Sequence, residues 1–337
     1  MNLEYFKQLL SLDSTSGKER EVALWLAETV PALFPEGARP AVERQEVGDG
    51  TLNLLFSWGQ PQVVFCSHMD TVPPYIPPTF TDDDVLGRGS CDAKGQVFAM
   101  LQACIRLVEA GCSGFGLLLL SGEETGSWGA KAFAKTAFRA PYLIVGEPTE
   151  GRLVSASKGT KSYDLHFGGE AFHSGYPQYG VSAVERFIDF VNCLKTKDFG
   201  LDPVLGETTW NIGLLRSDNP QNILSPELTC RLYFRTTFVS DAAVQAWMAD
   251  APALVEGLTV SPRGGDTPAR YLVPEGFPSA PVAFGSDAPH LTNFREKMIL
   301  GPGSVRVAHR PDEHLLLQDL LAAIDLYVAL FHTLICS

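Results

Sequence analysis

Four short apolar runs, NLLFSW, QVVFCS, GLLLLS and YLIVGE, recur between helix-length amphipathic stretches such as QVFAMLQACIRLVEAG. A strand buried on both faces reads as a continuous apolar run. Strands of that kind alternating with helices imply a mostly parallel sheet with helices on both faces. Ligand sites in such sheets lie beyond the C-terminal ends of the strands. The chain has 337 residues, long enough for two domains, and its 45% hydrophobic and 19% charged residues can bury a sizeable core. Ahead of the first strand, a helix is expected over about Leu3 to Leu12. STSGKE reads as a second helix start, with Ser16 as N-cap and Glu19 completing a capping box. That helix, REVALWLAETV, is expected to stop before Pro31.

The pattern changes near Ser157. KSYDLHFGG alternates as a strand of a half-exposed sheet does. A helix follows at GVSAVERFIDFVNCLK, then alternating strands at TTWNIGLLR and LTCRLYFRTTF, a helix from Asp241 to about Leu254, and a strand at GLTVSPR. That order describes a small ferredoxin-like α+β layer with one open face. RGGDTPAR reads as the linker back, and the α/β pattern resumes to end in LLLQDLLAAIDLYVALFHTLI. The expected organisation is an α/β domain over 1–156 and 266–337, interrupted by an α+β domain over 157–265.

The formal net charge of -13 argues against nucleic acid or an anionic membrane as a partner. The N-terminus has neither the basic start nor the apolar run of a signal peptide, and no segment reaches the roughly 18 uncharged apolar residues of a membrane span. Seven scattered cysteines without a C-x-x-C pair read as reduced thiols of a cytoplasmic protein.

Polar residues cluster at the strand ends and in the loops that follow them. His68 and Asp70 follow VVFCS, Asp92 lies in GRGSCDAKG, Glu123 and Glu124 follow LLLLSG, Glu147 follows LIVG, and His309 lies in GPGSVRVAHRPDEH. Several such clusters on one sheet edge point to a site built to hold positive charge. Imidazole with carboxylate is a zinc-type ligand set. Two histidines and three carboxylates exceed one tetrahedral ion with an open position; they suit two ions about 3.5–4 Å apart sharing a carboxylate. One acid should then stay free to take a proton.

SHMDTVPP, GRGSCDAKG, SGEETGSWGAK, VGEPT and ILGPGSVRVAHRPDEHL, in that order, resemble the motif series of a di-zinc amidohydrolase family. The family includes acetylornithine deacetylase, succinyl-diaminopimelate desuccinylase and carboxypeptidase G, and the last motif looks most like the acetylornithine deacetylase branch. The resemblance implies two zinc ions, with cobalt or manganese as substitutes. His68 and Glu147 would hold one, His309 and Glu124 the other, and Asp92 would bridge them. Asp70 would bind His68 and fix its tautomer. Glu123 would be the general base, with adjacent residues of extended chain sending Glu123 and Glu124 to opposite sides.

The inserted domain resembles the family's lid, which mediates homodimerisation. GEAFHSGYPQYG then makes His173 an oxyanion contact, its own subunit's or the partner's. NPQNILSPE places Asn222, and RLYFR places Arg235, as substrate contacts, and Ser286 with Asp287 match a pocket-lining loop. Cys66 and Cys91 read as packed thiols, His166 and His332 as structural, and His290 and His314 have no assigned role. The implied activity is hydrolysis of an N-acyl amino acid, N2-acetylornithine first, as in arginine biosynthesis. Succinyl-diaminopimelate, a dipeptide, or lysine or ornithine held on an acidic carrier protein are the alternatives within the class. A non-catalytic, metal-stabilised binding protein is the alternative outside it.

Overall fold

The computed structural model describes residues 1–48 and 50–336, and its backbone divides into two compact units. The first contains Met1–Ser155, Tyr271–Ala280 and the chain from Ser286 onward. Its six-stranded sheet runs in the order Ala41–Gly48, Thr51–Trp58, Phe115–Leu120, Val63–His68, Ala140–Val145, Phe294–Ile299. The last four are mutually parallel, while the first two form an antiparallel hairpin on one edge. Val63–His68 and Phe115–Leu120 are buried at every position, which is why they read as unbroken apolar runs. Ala41–Gly48, AVERQEVG, carries no such run and was not expected. As an edge strand half open to water it carries charge, which also discourages pairing with another chain.

Helices Leu3–Ser11, Arg20–Ala32, Lys94–Glu109 and Leu317–Cys336 belong to the same unit. Phe6 stacks on Phe98 at 4.6 Å between centroids, and Phe65 meets the edge of Tyr327 at 5.8 Å. Each such side chain taken out of water contributes about 1.5–3 kcal/mol. Pro31 lies inside the second helix rather than beyond it. The helix tolerates the proline by ending one residue later, where the Leu33 N–H turns back to the Val30 carbonyl at 3.1 Å. The predicted capping box does not form. The helix begins at Arg20 with Glu19 as a cap that makes no side-chain cap bond, and both Ser16 and Glu19 are used elsewhere.

Leu317–Ile335 is long and apolar enough to cross a membrane by length and composition alone, although Asp319 and Asp325 interrupt its apolar run. Its fully buried residues, Leu320, Ala323, Ile324, Tyr327, Leu330 and Phe331, recur three and four apart, and the Tyr327 hydroxyl donates to the Leu300 carbonyl at 2.8 Å. That is the one-sided burial of a core helix.

The second unit spans Ala156–Arg270 with Pro281–Gly285. Its four-stranded antiparallel sheet has the order Thr209–Arg216, Glu227–Thr236, Gly159–Gly168, Leu258–Gly264. Helices Ala183–Thr196 and Asp241–Asp250 pack a core of Phe167, Phe190, Phe234 and Met248. The boundary differs from the expected 157–265 for a physical reason. Ala269 and Arg270 pair with Ser157 and Ala156, the Thr160 N–H donates to the Asp266 carbonyl at 2.9 Å, and the Lys158 N–H donates to that of Val282 at 3.1 Å. Backbone pairing therefore holds 266–270 and 281–285 to this unit.

Candidate metal centre

The first unit brings the strand-end residues together. His68 ends the strand Val63–His68, Glu123 and Glu124 follow Phe115–Leu120, and Glu147 follows Ala140–Val145. Asp92 lies just ahead of the helix Lys94–Glu109, whose start packs against its own loop so closely that a Cβ on Gly95 would sit 2.1 Å from the Ser90 carbonyl oxygen. Gly303 in the His309 segment adopts φ 75°, and a Cβ there would lie 2.6 Å from Cys91 Sγ. Both positions need glycine.

His68 is 1% exposed. Its Nδ1 lies 2.9 Å from the Asp70 carbonyl oxygen and 3.4 Å from Asp70 Oδ1. The nearer partner is thus the backbone of Asp70, not its carboxylate as expected. It still places the proton on Nδ1 and leaves Nε2 for a ligand. Nε2 points to Asp92 Oδ1 at 3.0 Å. The other oxygen, Asp92 Oδ2, lies 3.2 Å from His309 Nε2, which also meets Glu124 Oε1 at 2.9 Å. One carboxylate therefore offers its two oxygens to two imidazoles from different parts of the chain. His68, Asp92 and Glu124 place ligand atoms within 4.8 Å of one another. His309 holds a left-handed φ of 65°, a conformation a non-glycine residue keeps only where its surroundings enforce it.

The carboxylate of Asp70, fully buried, has a second task besides facing His68. Oδ1 accepts the Glu123 N–H at 3.0 Å, and Oδ2 accepts the Glu124 N–H at 3.1 Å and the Ser16 hydroxyl at 2.8 Å. Glu123 and Glu124 lie in a turn rather than on extended chain, since the Gly126 and Ser127 N–H groups both return to the Glu123 carbonyl. Their two N–H groups face Asp70. Glu19 Oε1 accepts the Gly122 N–H at 3.1 Å and its Oε2 the Gly17 N–H at 2.6 Å, so the supposed capping residues brace this turn instead.

The charge balance is unusual. Burial opposes charge on His68, but hydrogen bonds to Asp70 and Asp92 more than offset it and hold the imidazole well above its ordinary range. His309 is raised to about 10 by Asp92 and Glu124. Asp92 is depressed despite its burial by the two imidazoles. Burial, then the neighbouring carboxylates, push Glu123 and Glu147 well up, and burial raises Asp287 to about 6. Glu147 Oε1 and Asp287 Oδ1 are buried without a hydrogen-bond partner. An uncompensated buried carboxylate oxygen is costly, and a cation supplies what the Glu147 oxygen lacks. On that ground the residues fit a divalent metal of the zinc type.

The remaining residues fall as follows. Ser286 is buried, its hydroxyl taken by the Ala288 N–H at 3.3 Å. His173, Asn222 and Arg235 belong to the second unit. His173 and Asn222 are exposed on neighbouring loops, where the Ser174 N–H donates to the Asn222 carbonyl at 2.9 Å. Arg235 lies over the Tyr233 ring at 5.0 Å. Burial raises the Cys66 and Cys91 thiols well above their ordinary value, which keeps them protonated and unsuited to ligation. His166 faces Glu227 at 3.5 Å, His332 meets the Phe331 ring, His314 Nδ1 bonds the Asp312 carbonyl, and the His290 N–H donates to the Asp287 carbonyl. The sequence pattern gave Glu19 a capping role it does not have and gave Arg88 and Glu313, which pair at the loop that carries Asp92, no role at all. The only available signal was an acid or a base inside an otherwise assigned motif.

A buried imidazole at a strand end and an exposed one from a distant loop share one carboxylate, a set of donors that suits a metal-binding centre. The family described as peptidase family M20/M25/M40 matches residues 64–333, and the chain belongs to that family. A peptidase M20 domain-containing protein of Schizosaccharomyces pombe is 32% identical over 95% of this chain and 82% of its own length. A probable carboxypeptidase of Aspergillus flavus is 30% identical over 96% of this chain and 85% of its own. Among solved structures, a tripeptidase from Staphylococcus aureus superposes with a TM-score of 0.82 at 20% identity, covering 97% of this chain and 95% of that one. At that identity the likeness speaks for the fold.

Proposed function

We propose that the protein is a metal-dependent hydrolase that cleaves the amide bond of a small N-acyl amino acid or short peptide. The observation that carries this is Asp92, whose two oxygens face His68 and His309 separately at 3.0 and 3.2 Å. His68 with Glu147, and His309 with Glu124, would hold two divalent cations, zinc by donor type, with Asp92 between them. When bound, such ions supply Lewis acidity and a water of lowered pKa.

The protein's own residues do the rest. Glu123 takes the proton from the attacking water and returns it to the departing amine. Asp70 fixes the turn that aims Glu123. His173 is assigned as an oxyanion donor. Arg235 is assigned as a fork for the substrate carboxylate and Asn222 as a further substrate contact, with Ser286 lining the pocket. The exposed Leu214 and Leu215 on the outer strand Thr209–Arg216 support a homodimer formed through the second unit.

The curated relatives described as probable carboxypeptidases support a substrate with a free carboxylate next to the scissile amide. N2-acetylornithine is the sharper form of the reading. The test is amine release by zinc-loaded protein from N-acetylornithine, other N-acetyl and N-succinyl amino acids, and di- and tripeptides, with and without chelator. Chelator-sensitive release from at least one member is expected. Bound metal with no release from any would favour the non-catalytic reading.

A further inference from the structure

Glu313 stands four residues after His309 and is 1% exposed. Its Oε1 accepts three backbone N–H groups, from Gly89 at 2.9 Å, Cys91 at 3.1 Å and Asp92 at 3.0 Å. Its Oε2 pairs with the guanidinium of Arg88, itself 2% exposed. Arg88 donates onward to the carbonyls of Arg310 and Pro74, both at 3.3 Å. The Gly87 N–H closes the circuit on the Glu313 carbonyl at 2.9 Å.

We infer that Glu313 is a positioning residue that locks the Asp92 loop and the His309 segment into one register, and that cation affinity at the centre depends on it. Successive N–H groups converging on one oxygen form an anion nest, and a carboxylate fills it best. One of those N–H groups belongs to Asp92 itself. The other end of the brace anchors the segment that holds His309 at its left-handed φ. A slip between the two segments would separate Asp92 Oδ2 from His309 while leaving Oδ1 on His68. Net stability does not account for the arrangement, because a buried ion pair is seldom better in that respect than apolar residues of the same size. What the pair supplies is register.

The inference rests on the metal-centre reading, so the experiment separates the two. Zinc affinity would be measured by competition with a chromogenic chelator on wild type, Glu313→Gln, Arg88→Lys and Asp92→Asn, alongside thermal unfolding of the metal-free proteins. Glu313→Gln keeps an oxygen for the nest but loses the charge that Arg88 balances. It should lose about 10–100-fold in zinc affinity, the usual consequence of removing a partner behind a ligand. Its metal-free form should still unfold cooperatively, and kcat should fall with KM little changed. Arg88→Lys should show a smaller loss of the same kind. A folded Glu313→Gln protein with wild-type zinc affinity and kcat overturns the inference. If that variant does not fold, Arg88→Lys decides by the same two readouts. Wild-type affinity in Asp92→Asn would sink the metal-centre reading and this inference together. Weak binding there with normal binding in Glu313→Gln would sink this inference alone.

Discussion

The two units carry their proposed functional residues in opposite ways. In the first, Asp70 is wholly buried and its carboxylate is fixed by three hydrogen bonds that span more than fifty residues of sequence. In the second, His173 is exposed, and its Nδ1 accepts the Gly175 N–H two residues away, at 3.1 Å. A ligand that must meet a cation within a fraction of an ångström needs a rigid, cross-braced setting. A residue that meets substrate can ride on a local loop and be positioned later by binding.

That contrast can be broken by mutation, and the largest effect should come from the braced side. Glu123→Gln should lower turnover by about 10²–10⁴-fold while metal content stays at the wild-type level, as measured by elemental analysis beside the assay. His173→Ala should follow, with kcat down by about 10²-fold and zinc affinity unchanged. A change in zinc affinity there would show that the exposed loop is coupled to the centre after all. Asp70→Asn should do the reverse, lowering zinc affinity by about 10–100-fold because the Glu123–Glu124 turn loses its anchor.

The smallest effect concerns pH. Asp202 is buried in the second unit, and the N–H groups of Val204, Leu205 and Val239 bond it at 2.8, 2.9 and 3.2 Å. Burial opposes its charge, but those donors more than offset this and hold its carboxyl below the usual range. A depressed folded value means the stabilisation is fully present above the unfolded value and is lost as pH falls through the folded one. Asp202→Asn should therefore flatten the acid limb of the stability curve in urea titrations below about pH 4 and change little at neutrality. An acid limb identical to wild type would remove Asp202 from the account.

What the sequence made legible follows the same division. Val63–His68 and Phe115–Leu120 were readable because burial on both faces forces an unbroken apolar run, and the strand ends then located His68, Glu123 and Glu147. The α+β unit was readable from alternation, because one face of its sheet is covered and the other open. Ala41–Gly48 was not, since an edge strand shows charge instead of a pattern. Nor were the braces. Ser16 and Glu19 match a helix start in spacing, and nothing local reveals that Ser16 reaches Asp70 and Glu19 reaches Gly122 across 54 and 103 residues. Glu313 sits between an exposed Asp312 and His314, and its burial comes from the opposite loop rather than from its neighbours. Long-range hydrogen bonding to backbone leaves no periodicity to read.

The central claim is that a metal centre built on Asp92 serves a proton-transferring Glu123. The most direct measurement is metal stoichiometry and amide hydrolysis on the same preparations of wild type and Glu123→Gln. The account predicts equal metal content, close to two ions per chain, with hydrolysis in the wild type and its near-complete loss in the variant. Equal hydrolysis in both, or hydrolysis that survives complete removal of metal, would contradict it.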